Sequence, residues 1–472
     1  MTPSSPEPPR ALSPRDIVRS GLCIGCGACV AQAPPGQAAM RADRYGQLRP
    51  GGDPRWMRTR TAAFARSCPF SPAALDEDQI ADRRFPAAPA RDVHIGRFES
   101  AYVGHVADAD LRAAGSSGGL VTWAAAELLR QGLVDAVVHV APPVERAADE
   151  PFFRYQISRS EAEVRRGAQS RYYPIELSAV LEAMRAEPGR YAVVGIPCFI
   201  KAVHLQRAAD PVLAERIAFT LGLFSGHMKS QRMVESFAWQ MHSGLDQVRD
   251  VDFRTKEPGR PANWYRARIG LRDGGERRED WWNFVDGDWG AGFFQNPACN
   301  FCDDVVAETA DISFGDAWVE PYSSDPGGTN VVVVRSAVVD DLVRRAIADD
   351  RLSLQEVDAD FVRETQAAGF RQRREGLSLR LSRRRLGVMP RKRVPARAPD
   401  LPFRRKAVYL LRGQITRWSH RVFFLARLVG RPGLYKRWAK AIAAVYHAFA
   451  YSRGRLGAVV DRVEGWGKRA TP

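Results

Sequence analysis

The chain has 472 residues, of which 45% are hydrophobic, so it is long enough for two or three domains with a sizeable core. Seven cysteines are an odd number, and five of them lie in short-spaced sets, which argues against a disulfide framework and favours thiolate ligands in a reducing compartment. The net charge of +16 is uneven, because residues 371–472 carry 27 Lys or Arg against four acidic residues while the remainder has a small excess of acids.

The first 16 residues are rich in Pro and Ser and lack an apolar core segment. They predict a disordered leader over residues 1–16 and do not resemble a signal peptide. No stretch approaches the roughly 18 apolar residues of a membrane span. We therefore expect a cytoplasmic protein.

The next feature is the run Cys23-Ile-Gly-Cys26-Gly-Ala-Cys29, which has the spacing of an iron–sulfur ligand loop. In bacterial two-cluster ferredoxins, three such cysteines share one cluster with a remote Cys-Pro, and Cys68-Pro69 supplies that pair here. Ala33 occupies the position of the ligand that would serve a partner cluster. The first motif therefore keeps only what one cluster needs.

The second motif has lost its other ligands. Counting back from Cys68 places Arg58, Thr61 and Phe64 at its first three ligand positions. Residues 17–82 are therefore predicted to be a ferredoxin-like segment with one 4Fe–4S cluster. A zinc knuckle or ordinary buried cysteines is the alternative, although structural zinc usually takes two Cys pairs or a mixed Cys/His set.

Residues 92–370 predict a mixed α/β body after a linker over residues 83–91, because apolar strand patterns alternate with helical ones. Tyr191–Gly195 and residues 217–224 are continuous apolar runs that suit strands buried on both faces. Further strands are expected at residues 102–106, 134–140 and 330–335, and helices at residues 119–130 and 340–349.

A glycine- and serine-rich loop joins the first predicted strand region of this body to a helix. Glycines let backbone N–H groups approach an anion, and the start of a helix adds partial positive charge. Hydroxyl groups add further donors, so the loop suits a flavin or nucleotide phosphate, with a plain surface loop as the alternative. The candidate residues are Gly115, Ser116, Ser117, Gly118, Gly119 and Thr122.

Three more cysteines indicate a second site. Gly195-Ile-Pro197-Cys198 follows a buried strand, where ligand sites collect. Cys299 and Cys302 form a Cys-x2-Cys pair. Three thiols need a fourth ligand, and the candidates are Ser225, His227 and Asp303, each of which can equally be an ordinary polar residue; that is the preferred interpretation for His227.

The order of these motifs over residues 22–335 resembles the coenzyme F-420 hydrogenase/dehydrogenase beta-subunit family, a family of iron–sulfur flavoproteins. The motifs that carry the resemblance are Cys-Ile-Gly-Cys-Gly-Ala-Cys, Ser117–Thr122, Gly167–Pro174, Val194–Cys198, Gly222–Ser225, Phe253–Lys256, Cys299–Cys302 and Ala310–Trp318, which includes Gly315 and Asp316. The resemblance implies FAD in the α/β body, one cluster in the N-terminal segment and often a second cluster beside the flavin. Ser225 stands where the family commonly has cysteine, so this second cluster would need a non-cysteine ligand.

Two further groups in the body are ambiguous. Arg254 and Lys256 would suit a flavin phosphate or the anionic flavin ring, and a solvated strand end is the alternative. The aromatic residues Trp281, Trp282, Trp289, Phe293 and Phe294 predict core packing in preference to a stacking platform. No Ser-His-Asp or Cys-His set is evident, so the catalytic residues are unassigned.

Residues 371–472 predict a basic, amphipathic, mostly helical tail. Arg and Lys interleaved with aliphatic and aromatic residues suit an anionic membrane surface on the inner face. A partner-docking arm is the alternative, and nucleic acid is disfavoured because no nucleic-acid motif accompanies the charge.

The sequence as a whole predicts an oxidoreductase. It would use FAD and a 4Fe–4S cluster to transfer electrons between a reduced carrier (deazaflavin coenzyme F-420, ferredoxin or nicotinamide) and an acceptor. The alternative is a binding or scaffold protein on a decayed flavoprotein fold that acts through its basic tail.

Overall fold

The structure is a computed structural model that describes residues 11–257, 259–397 and 400–469. The helices are α1 Pro14–Arg19, α2 Pro54–Arg58, α3 Ala62–Ser67, α4 Glu77–Arg84, α5 Ala109–Ala114, α6 Leu120–Arg130, α7 Glu161–Arg166, α8 Ser178–Ala186, α9 Pro197–Ala209, α10 Pro211–Arg216, α11 Arg232–Gln240, α12 Ala337–Ala348, α13 Ala359–Thr365, α14 Ala367–Arg373, α15 Glu375–Ser382, α16 Phe403–Leu428, α17 Pro432–Tyr451 and α18 Gly454–Arg469. The strands are β1 Ala38–Ala42, β2 Leu48–Gly52, β3 Ala90–Asp92, β4 Gly96–Phe98, β5 Ser100–Val106, β6 Ala136–Ala141, β7 Arg154–Ser158, β8 Tyr191–Gly195, β9 Ile217–Leu223, β10 Val248–Thr255, β11 Arg266–Leu271, β12 Glu276–Asp280, β13 Ile312–Asp316, β14 Asn330–Val334 and β15 Leu352–Glu356.

The body is built on an eight-stranded mixed sheet with the order β15-β5-β14-β13-β9-β8-β6-β7. Strands β6, β8, β9 and β13 run parallel to one another. At one end of the sheet β7 pairs antiparallel with β6, and at the other end β14 pairs antiparallel with β13, β5 with β14 and β15 with β5. Because β5 runs in the same direction as the four parallel strands, the carboxyl ends of all five lie at one edge of the sheet. The predicted α/β fold class is confirmed.

Both faces of the sheet are buried, which explains the continuous apolar runs in the sequence. On β8, Tyr191 and Val193 contribute to a core with α8, α9 and the N-terminal segment, while Ala192 and Val194 pack on the opposite face of the sheet with α6 and α12. The strands predicted at residues 102–106, 191–195, 217–224 and 330–335 and the helix at residues 119–130 are observed within one or two residues, whereas the helix predicted at residues 340–349 begins three residues earlier, at Ala337.

The N-terminal segment folds against the body and shares its core. A two-stranded hairpin (β1 and β2) separates the two cysteine motifs, and the segment's apolar residues pack with those of α8 and α9. Residues 1–10 of the predicted leader lie outside the described residues. For residues 11–16 the prediction of disorder was wrong, because Leu12 pairs with Thr61 and Ser13 caps α1. The predicted linker at residues 83–91 begins inside α4 and ends in β3.

The C-terminal helices share a hydrophobic core with the body and do not form a separate arm. A second core joins α11 and the three-stranded sheet β10-β11-β12 to α16 and α17. Phe423 and Tyr435 from these helices are fully buried there against Phe294. None of the described helices is long and apolar enough to cross a membrane. The helical prediction for residues 371–472 therefore agrees with α14 to α18, but the helices use one of their faces internally.

Candidate functional site

The four N-terminal cysteines line one small cavity. Cys23, Cys26 and Cys29 come from the loop after α1, and Cys68 comes from the end of α3. The rest of the wall is apolar or glycine, including Ile17, Leu22, Phe64 and Phe70. A cavity that gathers four thiols in apolar surroundings matches the ligand set that the cysteine spacing predicts.

Backbone amides lie near two of the sulfur atoms of this cavity. The amide of Ala28 is close enough to lower the pKa of Cys26, and that of Phe70 lowers the pKa of Cys68, whereas the Ser71 amide donates to the Cys68 carbonyl at 2.9 Å. Burial nevertheless raises the pKa of Cys68 to about 12 and that of Cys26 further. The thiols are therefore protonated at neutral pH, and a metal cluster would have to displace these protons on binding. Amide-to-sulfur hydrogen bonds are also a means of setting the potential of a bound cluster.

The cysteine loop is held on the body by a close backbone contact. Gly27 has a φ of +76°, and a Cβ at this position would lie 2.2 Å from the carboxylate of Glu176. The amide of Leu177 donates to the Cys26 carbonyl at 2.8 Å. Only glycine fits between the loop and the start of α8, and the ligand loop is therefore fixed by the body rather than by its own segment alone.

The residues at the three lost ligand positions of the second motif have structural roles. Thr61 caps α3 by accepting a hydrogen bond from the amide of Phe64 at 3.0 Å. The ring of Phe64 lines the thiol cavity, and Arg58 ends α2. The three positions where a second set of ligands would stand therefore form two short helices.

The remaining cysteines form a second set near the first. Cys198 lies in the first turn of α9, and Cys299 and Cys302 lie in and directly after a 3-10 helix at Pro297–Phe301. The Met228 amide donates to the sulfur of Cys299 at 3.3 Å. Burial and then the other two thiols raise the pKa of Cys198, and the three side chains pack in the same hydrophobic core.

Tyr155 connects the two sets of cysteines. Its hydroxyl donates to the Val194 carbonyl at 2.9 Å, and its ring stacks on Phe199. Burial raises the pKa of Tyr155, and the thiols of Cys198 and Cys26 raise it further. One side chain therefore lies within electrostatic range of a cysteine from each set, and six of the seven cysteines contribute to one core.

Two of the three candidate fourth ligands are already engaged. Asp303 is completely buried and bonds Lys392 at 2.9 Å and the Arg393 amide at 3.1 Å. Arg412 donates to Nδ1 of His227 at 3.2 Å. Because a guanidinium only donates, Nδ1 accepts this bond and the hydrogen of the neutral imidazole is on Nε2, which is buried without a hydrogen-bond partner in the described part of the chain.

Ser225 remains as the third candidate. It follows β9, it is half-buried, and its amide donates to the Val305 carbonyl at 3.0 Å. Among the described residues, its hydroxyl has no hydrogen-bond partner. The structure therefore leaves the serine that replaces the family's cysteine as the free candidate of the three.

A buried arginine from the C-terminal region faces the second set of cysteines. Arg373 donates to the carbonyls of Ser225 and Gly226 at 2.6 and 2.7 Å, and its other terminal nitrogen is buried without a partner among the residues that the structure describes. Although burial opposes it, the pKa of Arg373 is raised by Cys302 and Cys299. Sequence reasoning missed this residue, because the only signal was the basic composition of residues 371–472 and nothing in it marked one arginine.

The glycine-serine loop lies at the carboxyl edge of the sheet and presents free amides. The Leu120 amide bonds Asn330 at 3.3 Å. The amides of residues 116–119, 121 and 122 have no acceptor among the residues that the structure describes. Together with the start of α6, these amides can bind a phosphate group. The hydroxyl of Ser117 is not available, because it donates to the Thr329 carbonyl at 2.9 Å.

The predicted cationic residues are beside this loop, but protein groups already surround them. Arg254 is buried, forms a bidentate pair with Asp316 at 2.8 and 3.2 Å, and donates to the Ser116 carbonyl at 3.1 Å. Lys256 donates to the carbonyls of Ser117, Arg112 and Gly327 at 2.6 to 2.8 Å. These cations therefore shape the loop, which corrects both the free phosphate-binding role and the solvated strand end considered from the sequence.

Two predicted cofactor-binding glycines are covered by aromatic rings. A Cβ on Gly315 would lie 2.1 Å from the ring of Phe224, and one on Gly195 would lie 3.2 Å from the Tyr155 hydroxyl. Pro197 is buried in the first turn of α9. The space at these positions is occupied by protein side chains, so the glycine-serine loop is the better candidate for contact with a cofactor.

An aromatic series connects the loop to the second set of cysteines. The amide of Ser170 donates to the Ser116 hydroxyl at 2.8 Å. Two residues further, the Tyr172 ring lies 4.6 Å from that of Trp289, which stacks on His227 at 4.5 Å. Of the predicted aromatic group, Trp281, Phe293 and Phe294 are buried as expected for core packing, whereas Trp282 is exposed.

No single-ion site is apparent in the geometry. Within residues 11–257, 259–397 and 400–469, no group of three or more His, Cys, Asp or Glu side chains is arranged to hold one metal ion. A zinc knuckle requires ligands that converge on one ion at about 2.3 Å for sulfur.

Comparison with known proteins identifies the family. Residues 101–182 match the N-terminal part and residues 189–360 the C-terminal part of the coenzyme F-420 hydrogenase/dehydrogenase beta subunit. Together the two matches cover more than half of the chain. A solved structure of the F-420-reducing NiFe hydrogenase complex from Methanosarcina barkeri has a similar chain, with 18% identity and a TM-score of 0.46 over 60% of this chain and 92% of that chain. No curated protein matches the sequence.

Proposed function

Because the chain belongs to the coenzyme F-420 hydrogenase/dehydrogenase beta-subunit family, we propose that it is an iron–sulfur flavoprotein oxidoreductase. It would transfer electrons between a reduced carrier (deazaflavin coenzyme F-420, ferredoxin or nicotinamide) and an acceptor. The observation that carries the proposal is the gathering of Cys23, Cys26, Cys29 and Cys68 around one apolar cavity.

The four N-terminal cysteines would hold a 4Fe–4S cluster. The amides of Ala28 and Phe70 lie near two of the sulfurs, so they would donate to the thiolates of a bound cluster. The apolar wall excludes water and strengthens these interactions. These residues would thus fix both the position of the cluster and its charge environment.

The glycine-serine loop would hold the phosphate groups of FAD. Residues 116–119 and the start of α6 supply free amides, and Lys256 fixes the loop by binding the Ser117 carbonyl. Arg254 and Asp316 hold its other side. A flavin exchanges a hydride with a two-electron donor and single electrons with a cluster, and the protein supplies binding, orientation and electrostatics.

The contacts of the second set of cysteines support a role as an electron relay between the glycine-serine loop and the first cavity. Cys299 follows the aromatic series from the loop, and Cys198 shares Tyr155 with Cys26. We propose that Cys198, Cys299 and Cys302 hold a second cluster, with Ser225 as the candidate for the fourth ligand. Arg373 would offset the negative charge of that cluster.

Anaerobic purification with iron, acid-labile sulfide and flavin measured per chain tests the proposal. About four irons and one flavin would mean that one cubane is present. About eight irons would mean that the second set also holds a cluster. Absence of iron, sulfide and flavin after reconstitution would contradict the redox function and favour the scaffold alternative.

A further inference from the structure

Helix α16 has a second apolar face that points away from the core. Ile415, Phe423 and Ala426 are buried in the second core. At 100° per residue, Leu410 and Leu428 lie on the opposite side of the helix, with Trp418 and Leu425 beside that line. These four side chains are 38%, 71%, 46% and 48% exposed, respectively. The helix therefore presents a row of large apolar side chains to solvent along its length, which we call the outer face of α16.

The outer face is also basic. Helices α16 and α17 together contain 10 Lys or Arg and no Asp or Glu. Arg405 and Arg427 are neutralised by acids from elsewhere in the chain. Arg417 and Arg421, which lie on the outer face, form no ion pair with any acid in the described parts of the chain. Arg421 instead lies over the Trp418 ring at 5.2 Å.

The surface continues through the turn into the next helix. Leu428, Val429 and Leu434 are exposed at this turn, and Arg431 between them is exposed and basic. The surface is therefore an exposed edge that runs along one helix and over the turn that follows it. The residues matched to the family end at 360, so this edge lies outside them.

We propose that the outer face of α16 and the α16–α17 turn bind an anionic lipid surface. Exposed apolar patches mark interaction sites, and basic helices with Trp and Leu bind at the interface of anionic membranes. Trp is the side chain that prefers the headgroup level, and Arg beside it meets the lipid phosphates. The phosphates of a nucleic acid would bind the basic side chains of this face but would leave its leucines exposed to water.

The attachment is peripheral and leaves the core intact. The buried face of α16 stays packed on the second core, and none of the described helices is long and apolar enough to cross a membrane. Binding therefore requires no unfolding or rearrangement, and the whole folded chain would dock on the lipid surface through one edge.

The test is sedimentation of the full-length protein with phosphatidylcholine vesicles that contain or lack phosphatidylglycerol. We expect binding to the anionic vesicles only, and weaker binding as salt is added. Arg417→Glu with Arg421→Glu is expected to weaken binding by at least about 25-fold, since each cation near an anionic surface contributes roughly fivefold. The matched control is Arg55→Glu with Arg58→Glu, which changes the net charge equally on α2 and should retain binding.

A second pair of variants tests the apolar contact. Trp418→Ala should reduce vesicle binding and remove part of the quenching of tryptophan fluorescence by brominated lipid. Trp282→Ala is the control, because Trp282 is 71% exposed on the body. Equal melting temperatures would show that all variants fold.

Three outcomes would overturn the proposal. The first is no binding of the wild-type protein to anionic vesicles, including the case in which an acidic protein binds this face instead. The second is equal loss in the two charge-reversed pairs, which would mean non-specific attraction by net charge. The third is quenching that is the same in Trp418→Ala and in the wild type.

Discussion

Lys392 and Asp303 form an ion pair of 2.9 Å in which the two side chains are only 2% and 0% exposed. Although burial alone would raise it, Lys392 and Arg393 hold the pKa of Asp303 below its ordinary value. The pair ties the segment after α15 to the residue that follows Cys302. Asp303 is therefore already paired with the C-terminal region. Ser225 remains as the candidate for the fourth ligand of the second set of cysteines.

Ser225→Cys should complete a four-cysteine set with Cys198, Cys299 and Cys302. If the wild-type protein holds about four irons per chain, the variant should hold about eight after anaerobic reconstitution. If the wild-type protein already holds about eight, the variant should lose iron more slowly to a chelator. Ser225→Ala is the control, and equal iron content and chelator sensitivity in Ser225→Cys and the wild type would remove Ser225 from the site.

Cys26→Ala should remove the N-terminal cluster and leave the flavin bound. The side chain lines the first cavity, whereas the glycine-serine loop lies at the edge of the sheet and has no contact with it in the proposed arrangement. Iron should fall by about four per chain, with flavin unchanged. Cys198→Ala is the matched variant for the second set. Unchanged iron in Cys26→Ala would show that the ligand assignment is wrong.

Lys256→Met should loosen the glycine-serine loop. It removes the ammonium that three backbone carbonyls share at 2.6 to 2.8 Å, and an unsatisfied buried acceptor costs about 1–3 kcal/mol. We expect a lower melting temperature and a lower flavin content after purification. Lys440→Met, which removes the same charge from an exposed position on α17, should change stability by less than about 0.5 kcal/mol. Equal flavin content in the two variants would show that Lys256 does not contribute to flavin binding by the loop.

The local patterns of the sequence were sufficient for five of the eight strands of the sheet and for the first thiol cavity, whereas β7, β13 and β15 were not predicted. Tyr191–Gly195 is a continuous apolar run because both of its faces are buried. The two-residue spacing of Cys23, Cys26 and Cys29 is enough by itself to predict that their side chains face one site. Arg373 and Lys392 could not be identified in this way. Their partners Ser225 and Asp303 lie 148 and 89 residues earlier in the chain, so their role depends on the fold that brings the C-terminal region back over the cysteines.

Acid should destabilise the protein through buried histidines, and His420 provides the test. Burial lowers the pKa of His420 to about 4, so this residue stays neutral in the folded chain when the unfolded chain is already protonated. Between pH 7 and pH 5 the free energy of unfolding should fall by about 2 kcal/mol from this residue alone, with no further loss from it below about pH 4. His420→Gln should flatten this slope, and His242→Asn, at an exposed position, should not. The slope is measured from unfolding transitions at several pH values.

Phe423→Ala should destabilise the whole chain if α16 is part of its core. The ring is fully buried and lies 4.4 Å from that of Trp239, 4.9 Å from that of Tyr435 and 5.1 Å from that of Phe294. Truncation of a buried phenylalanine costs about 3–5 kcal/mol. The change should appear as a lower midpoint of thermal unfolding, followed by tryptophan fluorescence.

Leu425→Ala is the matched control on the same helix, two residues away but on the outer face. It should change the free energy of unfolding by less than about 0.5 kcal/mol, because the leucine is 48% exposed. The same variant should weaken binding to anionic vesicles, so the two substitutions separate the two faces of α16. Equal midpoints for Phe423→Ala and the wild type would mean that the C-terminal helices are a detachable arm, because the core that they share with β10, β11 and β12 would then make no contribution to stability.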